Sequence, residues 1–501
     1  MGLDLVDVTA KRAELTPERV AFIDALSGRR VTYAELEDRA SRLAGVFSAH
    51  GVEREDRVAI LCRNRIEFFE ALFAVAKLGA ILVPLNWRMP ASELAPLVED
   101  CAPKLLLFGG EDAGVADALS APPMQAISLD NGYETLLANA APHCGDRLWR
   151  GDAIWTLLYT SGTTGQPKGV IQTVQMSLVN YVNASQAFGL RGGDRTLNFL
   201  PLFHAAGIQL LTLPTLIAGG TVTILPGFDA PRVLQMLSEL DLMFAVPAAY
   251  QQLALEPGFD AADFSHVRAW GCGGAPLADV LVERYAAKGA RVQNGYGMTE
   301  TGPTAFVAMQ DDALRKIGSV GKPQILLDVR IVDPNGRDVA EGDAGEVWMR
   351  GPGVTPGYWK RPDETAKAFS AEGWLKSGDL GKRDADGCYY VVGRIKEMFI
   401  SGGENVYPAE VENVLARHPA VLEAAVIGVA DEKWGEVGHA FVQLRPGAVA
   451  PTPSEFIQFC RASLAGYKTP KGFTIVDDFP RTAAGKVRKH LLAPPGPPMA
   501  R

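Results

Sequence analysis

Residues 160–170, TSGTTGQPKGV, concentrate the groups that bind polyphosphate. Hydroxyls stand at Thr160, Ser161, Thr163 and Thr164, glycines at Gly162, Gly165 and Gly169, and one cation at Lys168. Unshielded backbone amides, hydroxyl donors and an ammonium together suit phosphate oxygens. The apolar run 154–159 just upstream reads as a strand, so the loop leaves a strand end, where phosphate loops commonly sit. Spacing excludes the common P-loop, which needs Gly-Lys followed by Ser or Thr; here Lys168 lies between Pro167 and Gly169. The plain alternative is a flexible Gly/Ser/Thr linker. A linker gives no reason for a Pro-Lys-Gly end or for an apolar strand beside it.

Five further runs carry candidate chemistry. Gly271-Cys272-Gly273-Gly274-Ala275-Pro276 follows the predicted strand 267–270 and precedes a helix. Small residues there let a flat ring lie against backbone. In Asn294-Gly295-Tyr296-Gly297-Met298-Thr299-Glu300-Thr301, Tyr296 suits stacking on a base and Asn294 suits hydrogen bonding to it. Thr299 offers a hydroxyl to phosphate, and Glu300 offers Mg²⁺ the hard oxygen it takes beside phosphates and water. A tight turn with a solvated Glu300 is the alternative. Asp379 in Ser377-Gly378-Asp379 follows a glycine read as a strand end, a device for gripping ribose hydroxyls. Gly393-Arg394-Ile395-Lys396-Glu397 reads as a charged hinge, because the texture of the chain changes there. Lys486 ends the run Pro480-Arg481-Thr482-Ala483-Ala484-Gly485-Lys486, where a lone lysine would ordinarily face solvent.

These runs need a large scaffold to meet. The chain has 501 residues, too many for one core, so several domains or subdomains are expected. Up to about residue 310, strand and helix patterns alternate, implying parallel sheets covered by helices. Thr32 and Glu35 form a capping box opening a helix to about residue 49. A helix over 67–78 ends at Gly79, the favoured C-terminal glycine. Residues 170–188 are expected mostly helical, 233–240 helical, and 243–246, 267–270 and 291–294 extended. Frequent turns between short strands make 318–393 a small β-rich subdomain, and 397–492 an α+β C-terminal domain after a hinge at 394–396. The fold class is therefore α/β: a large N-terminal domain (1–393) of two stacked α/β subdomains to about 317 plus the β-rich part, and a small mobile C-terminal domain. Residues 493–501 form a Pro-rich tail.

Composition narrows the function. At 47% apolar and 21% charged the chain is ordinary globular protein. A net charge of −9 argues against a general nucleic-acid partner. Six cysteines without a CxxC pair suit a reducing compartment, and the N-terminus shows no apolar signal core, so a cytoplasmic location is expected. The long uncharged stretch 205–226 could be taken for a membrane span. Pro214, Gly219-Gly220 and several threonines make it a buried helix, a turn and a strand instead, with no transmembrane span.

Jointly, from Thr32 to Lys486, the motifs resemble the adenylate-forming superfamily: acyl- and aryl-CoA ligases, peptide-synthetase adenylation domains and firefly-type luciferases. The carriers of that resemblance are the phosphate loop, YGMTE, SGD, GRIKEMFISGGENVYPAEVE and PRTAAGK. The resemblance implies a two-step ligase using ATP, Mg²⁺ and coenzyme A: a carboxylic acid forms an acyl-adenylate and pyrophosphate, then a thiol displaces AMP. It gives 160–168 the β- and γ-phosphates. Gly273, Gly274, Ala275, Pro276, Asn294 and Tyr296 would hold adenine, with Thr299 on the α-phosphate, Glu300 on Mg²⁺, and Asp379 and Arg394 on ribose. Lys486 would stabilise the charge where the two anions meet. Lys396 would be the hinge about which the small domain turns, bringing in Gly402 and Gly403 beside a pantetheine tunnel lined by Trp434 and Tyr467. Lys471, with Arg88, would meet CoA phosphates. A homodimer is compatible with it.

The acceptor and acid follow by the same resemblance. Only the residues after Lys486 remain, so no fused carrier domain is expected. Peptide-synthetase domains carry an aspartate where this chain has Pro201-Leu202-Phe203-His204-Ala205-Ala206-Gly207, which disfavours an amino-acid substrate. His204 matches the family's gate between acid pocket and CoA tunnel. Phe244, Val246, Ala248, Gly271, Gly273, Met298, Pro303 and His204 would ring an apolar acid pocket. A benzoate or hydroxycinnamate type of acid fits best, with a medium or long aliphatic chain as the alternative. A stand-alone ligase loading a carrier protein and a catalytically silent nucleotide-binding relative are the other readings.

Overall fold

A computed structural model describes residues 2–120, 122, 124–143, 145–160, 167–275, 277–481 and 486–494. Its first sheet has six strands in the order Lys168–Thr173, Ile154–Thr160, Ile81–Pro84, Arg57–Leu61, Leu105–Phe108, Gln125–Ser128. All pairings are parallel except the first, where Lys168–Thr173 runs antiparallel to Ile154–Thr160. A nine-stranded second sheet is parallel at its centre, through Thr221–Ile224, Arg195–Asn198, Leu242–Ala245, Ala269–Cys272 and Val292–Tyr296. Near-continuous apolar runs such as Leu105–Phe108 belong to strands covered on both faces.

The two sheets share a helix. Ile66–Leu78 is buried along almost its whole length. Its Phe69 packs on Phe22 of the second sheet at 5.0 Å between ring centres, and its Phe73 lies 6.1 Å from Trp155 of the first. A helix apolar on all sides is stable only between layers. Its charged side chains are buried with partners: Glu70 meets Arg39 at 2.6 Å and the Tyr133 hydroxyl at 2.7 Å, and Lys77 meets Asp7 and Glu37, each at 2.7 Å.

A four-stranded antiparallel sheet follows, ordered Asp328–Val332, Gly345–Arg350, Leu375–Arg383, Tyr389–Arg394. The C-terminal sheet holds Phe399–Ser401, Glu404–Val406, Val421–Asp431, Gly435–Leu444 and Gly472–Val476, backed by helices Pro408–Ala416 and Pro453–Arg461. The α/β class and its large and small parts thus appear as the sequence implies.

Three local expectations change. Residues 168–173 are a strand, and the helix begins only at Val174, capped by Thr173. The β-branched Val170, Ile171 and Thr173 favour the pleated edge over a helix. Lys168–Thr173 therefore runs back antiparallel beside Ile154–Thr160 before any helix begins. The helix expected at 233–240 is Ala230–Met236 plus a 3-10 turn, because Asp229 accepts from Arg232 N at 3.0 Å and starts it earlier. In 205–226, two short helical pieces, Ala206–Leu210 and Thr212–Ala218, precede strand Thr221–Ile224. Among the described residues no helix is long and apolar enough to cross a membrane.

The capping box forms as expected. Glu35 N donates to Thr32 Oγ1 at 3.2 Å, and Thr32 N donates to Glu35 Oε2 at 2.7 Å, opening helix Tyr33–Ala49. Thr32→Ala should cost about 1 kcal/mol, read as a lower urea midpoint. An unchanged midpoint would show that packing alone holds that helix.

Candidate active site

Three parallel strands deliver the site at their C-terminal ends. Leu242–Ala245 leads to Val246, Ala269–Cys272 to Gly273–Ala275, and Val292–Tyr296 to the Met298–Glu300 turn. Missing side chains make the space. A Cβ on Gly271 would lie 2.5 Å from the Phe244 ring and 2.8 Å from the Phe188 ring. One on Gly273 would lie 3.0 Å from Phe244, and one on Gly297 only 1.6 Å from the Pro303 carbonyl oxygen. Val246 faces Gly274, where φ is +88°. The structure thus gathers Phe244, Val246, Gly271 and Gly273, and adds Phe188, whose ring meets Phe244 edge-on at 6.4 Å. Ala248 sits in the first turn of helix Pro247–Leu255, and Met298 leans toward the core of the four-stranded sheet.

Two carboxylates anchor the polar half. Glu300 is 8% exposed. Its Oε1 accepts from the Tyr358 hydroxyl at 2.9 Å, and burial holds its carboxyl above the usual range despite that bond. Tyr358 also lies beneath Lys168, whose ammonium is 5.4 Å from the ring centre and pairs with Glu364. Asp379 accepts from the Tyr296 hydroxyl at 2.6 Å and lies 3.3 Å from Arg394 Nε, its cross-strand neighbour. Asp379 is not at a strand end as expected. It lies inside Leu375–Arg383, where Gly378 at φ +73° turns the backbone.

Lys486 arrives from the other end of the chain. Asp379, Glu397 and Glu300 all act on its ammonium, and it acts in turn on His204. Its side chain reaches solvent, yet the protein around it and Arg394 push its pKa below the ordinary lysine value. His204 packs on Phe203 with ring centres 4.7 Å apart, and its Nε2 is shielded without a hydrogen-bond partner. Burial first, then Lys486 and Arg88, lower its pKa to about 4. His204 is therefore neutral at pH 7.

The nucleotide groups can be tested on the donor set. Asn294 donates to Ser319 O at 3.3 Å, while its Oδ1 is shielded and unmatched. An unmatched acceptor two residues before Tyr296 fits an exocyclic amine. Among the described residues no three acidic, His or Cys side chains cluster as a metal cage. A single buried carboxylate instead fits Mg²⁺ shared with phosphates. Thr299 lies in the same turn, its carbonyl accepting from Gln172 at 2.8 Å. Ser161, Gly162, Thr163, Thr164, Gly165 and Pro276 lie outside the described residues; Thr160 ends its strand and Gly274 and Ala275 form an exposed bend.

A second cluster forms on the C-terminal sheet. Gly402 (φ +62°) donates to Trp434 O at 2.9 Å, and a Cβ there would lie 2.5 Å from the indole. Lys471 stands over the same ring at 4.8 Å. Gly403 adopts φ +88°, and Tyr467 packs against the C-terminal core. Lys396 lies in the turn that follows Tyr389–Arg394, where Glu397 N and Met398 N both donate to Arg394 O. Two contacts tie the C-terminal part to the second sheet's helices: Arg417 pairs with Asp279, and Gln251 Nε2 donates to Leu422 O at 2.7 Å.

Comparison with known proteins shows the family. The AMP-binding enzyme family model matches residues 9–359, and the model of the AMP-binding enzyme C-terminal domain matches 410–486. The chain belongs to the AMP-binding enzymes. It is similar to a feruloyl-CoA synthase of Amycolatopsis sp., at 40% identity over 96% of each chain. A long-chain-fatty-acid–CoA ligase of Mycobacterium tuberculosis is 36% identical, again over 96% of each. Among solved structures it resembles the o-succinylbenzoate CoA synthetase of Bacillus subtilis in complex with its acyl-adenylate intermediate. That match has a TM-score of 0.88, 34% identity and 98% coverage of both chains.

Sequence reading of this AMP-binding enzyme missed Phe188, Tyr358 and Glu364. Tyr358 is reached because segment 355–359 lies along the sheet edge, with Trp359 N donating to Gly169 O at 2.8 Å. Its only sequence signal is a Gly-Tyr-Trp turn. His204 gives a pH prediction. Its folded pKa of about 4 lies below the unfolded 6.5, so its stabilisation is complete above pH 6.5 and is lost as pH falls toward 4. Wild type should lose stability across that window by up to about 3 kcal/mol more than His204→Phe, measured by urea unfolding at each pH. Parallel slopes would show that His204 titrates normally.

Proposed function

We propose that this chain is an ATP-dependent, AMP-forming carboxylic acid–CoA ligase acting on an aromatic acid. The observation that carries the reading is one set of charged and polar groups drawn from His204 to Lys486: Glu300 held by Tyr358, Asp379 held by Tyr296 and Arg394, and Lys486 within electrostatic reach of Glu300, Asp379 and His204. In the first half-reaction the acid's carboxylate oxygen attacks the α-phosphorus of ATP, the bond to the β-phosphate oxygen breaks, and pyrophosphate leaves. Lys486 neutralises the two anions where they meet. Residues 160–168, with Lys168 exchanging Glu364 for phosphate oxygens, hold the leaving group. Asn294 and Tyr296 with Gly273–Ala275 take the adenine, Thr299 the α-phosphate, and Asp379 with Arg394 the ribose. Glu300 would hold Mg²⁺, which would supply screening of the phosphate charge.

In the second half-reaction the CoA thiol attacks the acyl carbonyl, and AMP leaves. The 397–492 domain turns about Lys396, withdrawing Lys486 and presenting Gly402, Gly403 and Trp434, with Tyr467 and Lys471 along the CoA path. A neutral His204 suits the gate between acid and thiol, since it adds no charge to an apolar passage. Phe188 and Phe244, packed on glycine-bared strands, give the acid an aromatic wall, which favours an aromatic acid over an alkyl chain. The described cysteines are buried free thiols, which supports a cytoplasmic setting.

The deciding assay is pyrophosphate release with ATP, Mg²⁺ and acids from acetate to palmitate and from benzoates to hydroxycinnamates, with and without CoA. CoA-dependent turnover peaking on aromatic acids is expected. Turnover only with a holo-carrier protein, or a peak on alkyl acids, would replace the acceptor or the acid; no release from any acid would remove the ligase reading. Lys486→Ala should slow adenylate formation roughly 10²–10³-fold and spare thioester formation from supplied acyl-adenylate. Equal loss of both steps would count against a turning domain. Because the Arg417–Asp279 pair ties the domains in the orientation that brings Lys486 in, Arg417→Ala should slow adenylation several-fold and leave the thioester step intact. Stopped-flow measurement of each half-reaction separates these effects.

A further inference from the structure

The aromatic wall has a far end, and the strand register locates it. Phe244 pairs with Gly271, and Gly271 with Gln293, so these three form one row across three parallel strands. Paired residues in adjacent strands point to the same face. The row lies two residues back from Gly273 and Gly295, away from the strand ends where Tyr296 and Glu300 sit. It is therefore the deeper row, facing helix Val174–Phe188.

At this depth the walls are aromatic and the floor is polar. The Phe244 and Phe188 rings close over Gly271. Beside them Gln293 is 2% exposed. Its Nε2 donates to Ala187 O at 3.0 Å and to Ala308 O at 2.9 Å. Both amide hydrogens are thus committed, which fixes the orientation of the group. Its Oε1 is shielded from solvent with no hydrogen-bond partner. Ala187 directly precedes Phe188, so this open acceptor lies by the end wall. Ser185 stands three residues before Phe188, on the same face of the helix. Its hydroxyl is likewise shielded and unmatched.

Buried polar atoms are normally satisfied. Here two unmatched ones occur beside the aromatic wall, and the wall residues named are all uncharged. A carbonyl oxygen calls for a donor and repels a second carboxylate. We propose that Gln293 Oε1 accepts a hydrogen bond from a ring hydroxyl at the end of the acid remote from its carboxylate, with Ser185 Oγ as its neighbour. This reads a hydroxylated aromatic acid as the preferred substrate, and it rests on the ligase reading above. Sites built to hydrogen-bond a substrate hydroxyl strongly reject the analogue lacking it, because the protein group is left unpaired.

The test compares kcat/KM for 4-hydroxycinnamate and cinnamate in wild type, Gln293→Leu, Gln293→Met and Ser185→Ala. Wild type should favour the hydroxylated acid by at least about tenfold. Either Gln293 variant should bring that ratio near unity, partly by improving cinnamate, while KM for ATP stays unchanged. Ser185→Ala should reduce the ratio less. A structural role alone would lower both acids together and leave the ratio where it was, which overturns the proposal. So would a wild type indifferent to the hydroxyl, or one whose best acid is aliphatic, and in both cases the ligase reading survives. Wild type inert toward every acid would instead remove the ligase reading itself. The wild-type ratio decides the matter even if one variant fails to fold.

Discussion

Glu300 and Asp379 hold carboxylates where water solvates them poorly, and the surroundings of the site answer that charge. Burial alone would neutralise them or expel them. Each instead accepts from a tyrosine hydroxyl, Glu300 from Tyr358 and Asp379 from Tyr296. Cations complete the balance from three separate regions: Arg394 across the strand pair, Lys168 over the Tyr358 ring, and Lys486 from the end of the chain. Such a set is preorganised to receive an anion bearing its own counter-charge, which is what the proposed reaction brings.

Backbone approach is the second constraint. The site lies at the carboxyl ends of parallel strands, and its walls are strands stripped of side chains. At Gly297 this is obligatory, since any Cβ would collide with the Pro303 carbonyl. At Gly271 the contacts are ring atoms, so the glycine lets two aromatic rings lie directly on the strand. The Lys168–Thr173 strand plays a different part. Running antiparallel to its neighbour, it brings Lys168 back along the sheet edge, and Val170 bridges to Tyr358.

Lys486 is positioned through the C-terminal part. Lys489, three residues on, is held between Glu397 at 3.2 Å and Glu412 at 2.7 Å. Glu397 follows the proposed hinge residue Lys396. Arg481 on the other side of the loop pairs with Glu423 at 2.6 Å. The segment bearing Lys486 is thereby fastened both to the C-terminal sheet and to the turn that joins the two parts. Any rotation at that turn carries the lysine with it.

The sequence by itself determined the alternation of strands and helices, the capping box at Thr32, the glycine after Leu78 and the motif set that marks the family. These are local: they follow from side-chain periodicity and backbone freedom within a few residues. It also named Glu300, Asp379, Arg394 and Lys486, because their residue types and flanking glycines are unusual together. Only the tertiary structure decided that Tyr358 and Glu364 join them, since neither has a local pattern that separates it from an ordinary turn or helix start. The extended 168–173 segment needed pairing with Ile154–Thr160 to decide it, because its β-branched residues and the helical pattern downstream point opposite ways. Gln293 is the clearest case. In sequence it is one polar residue beside a strand valine, and its meaning lies in a committed amide, an unmatched oxygen and two aromatic rings supplied by other elements.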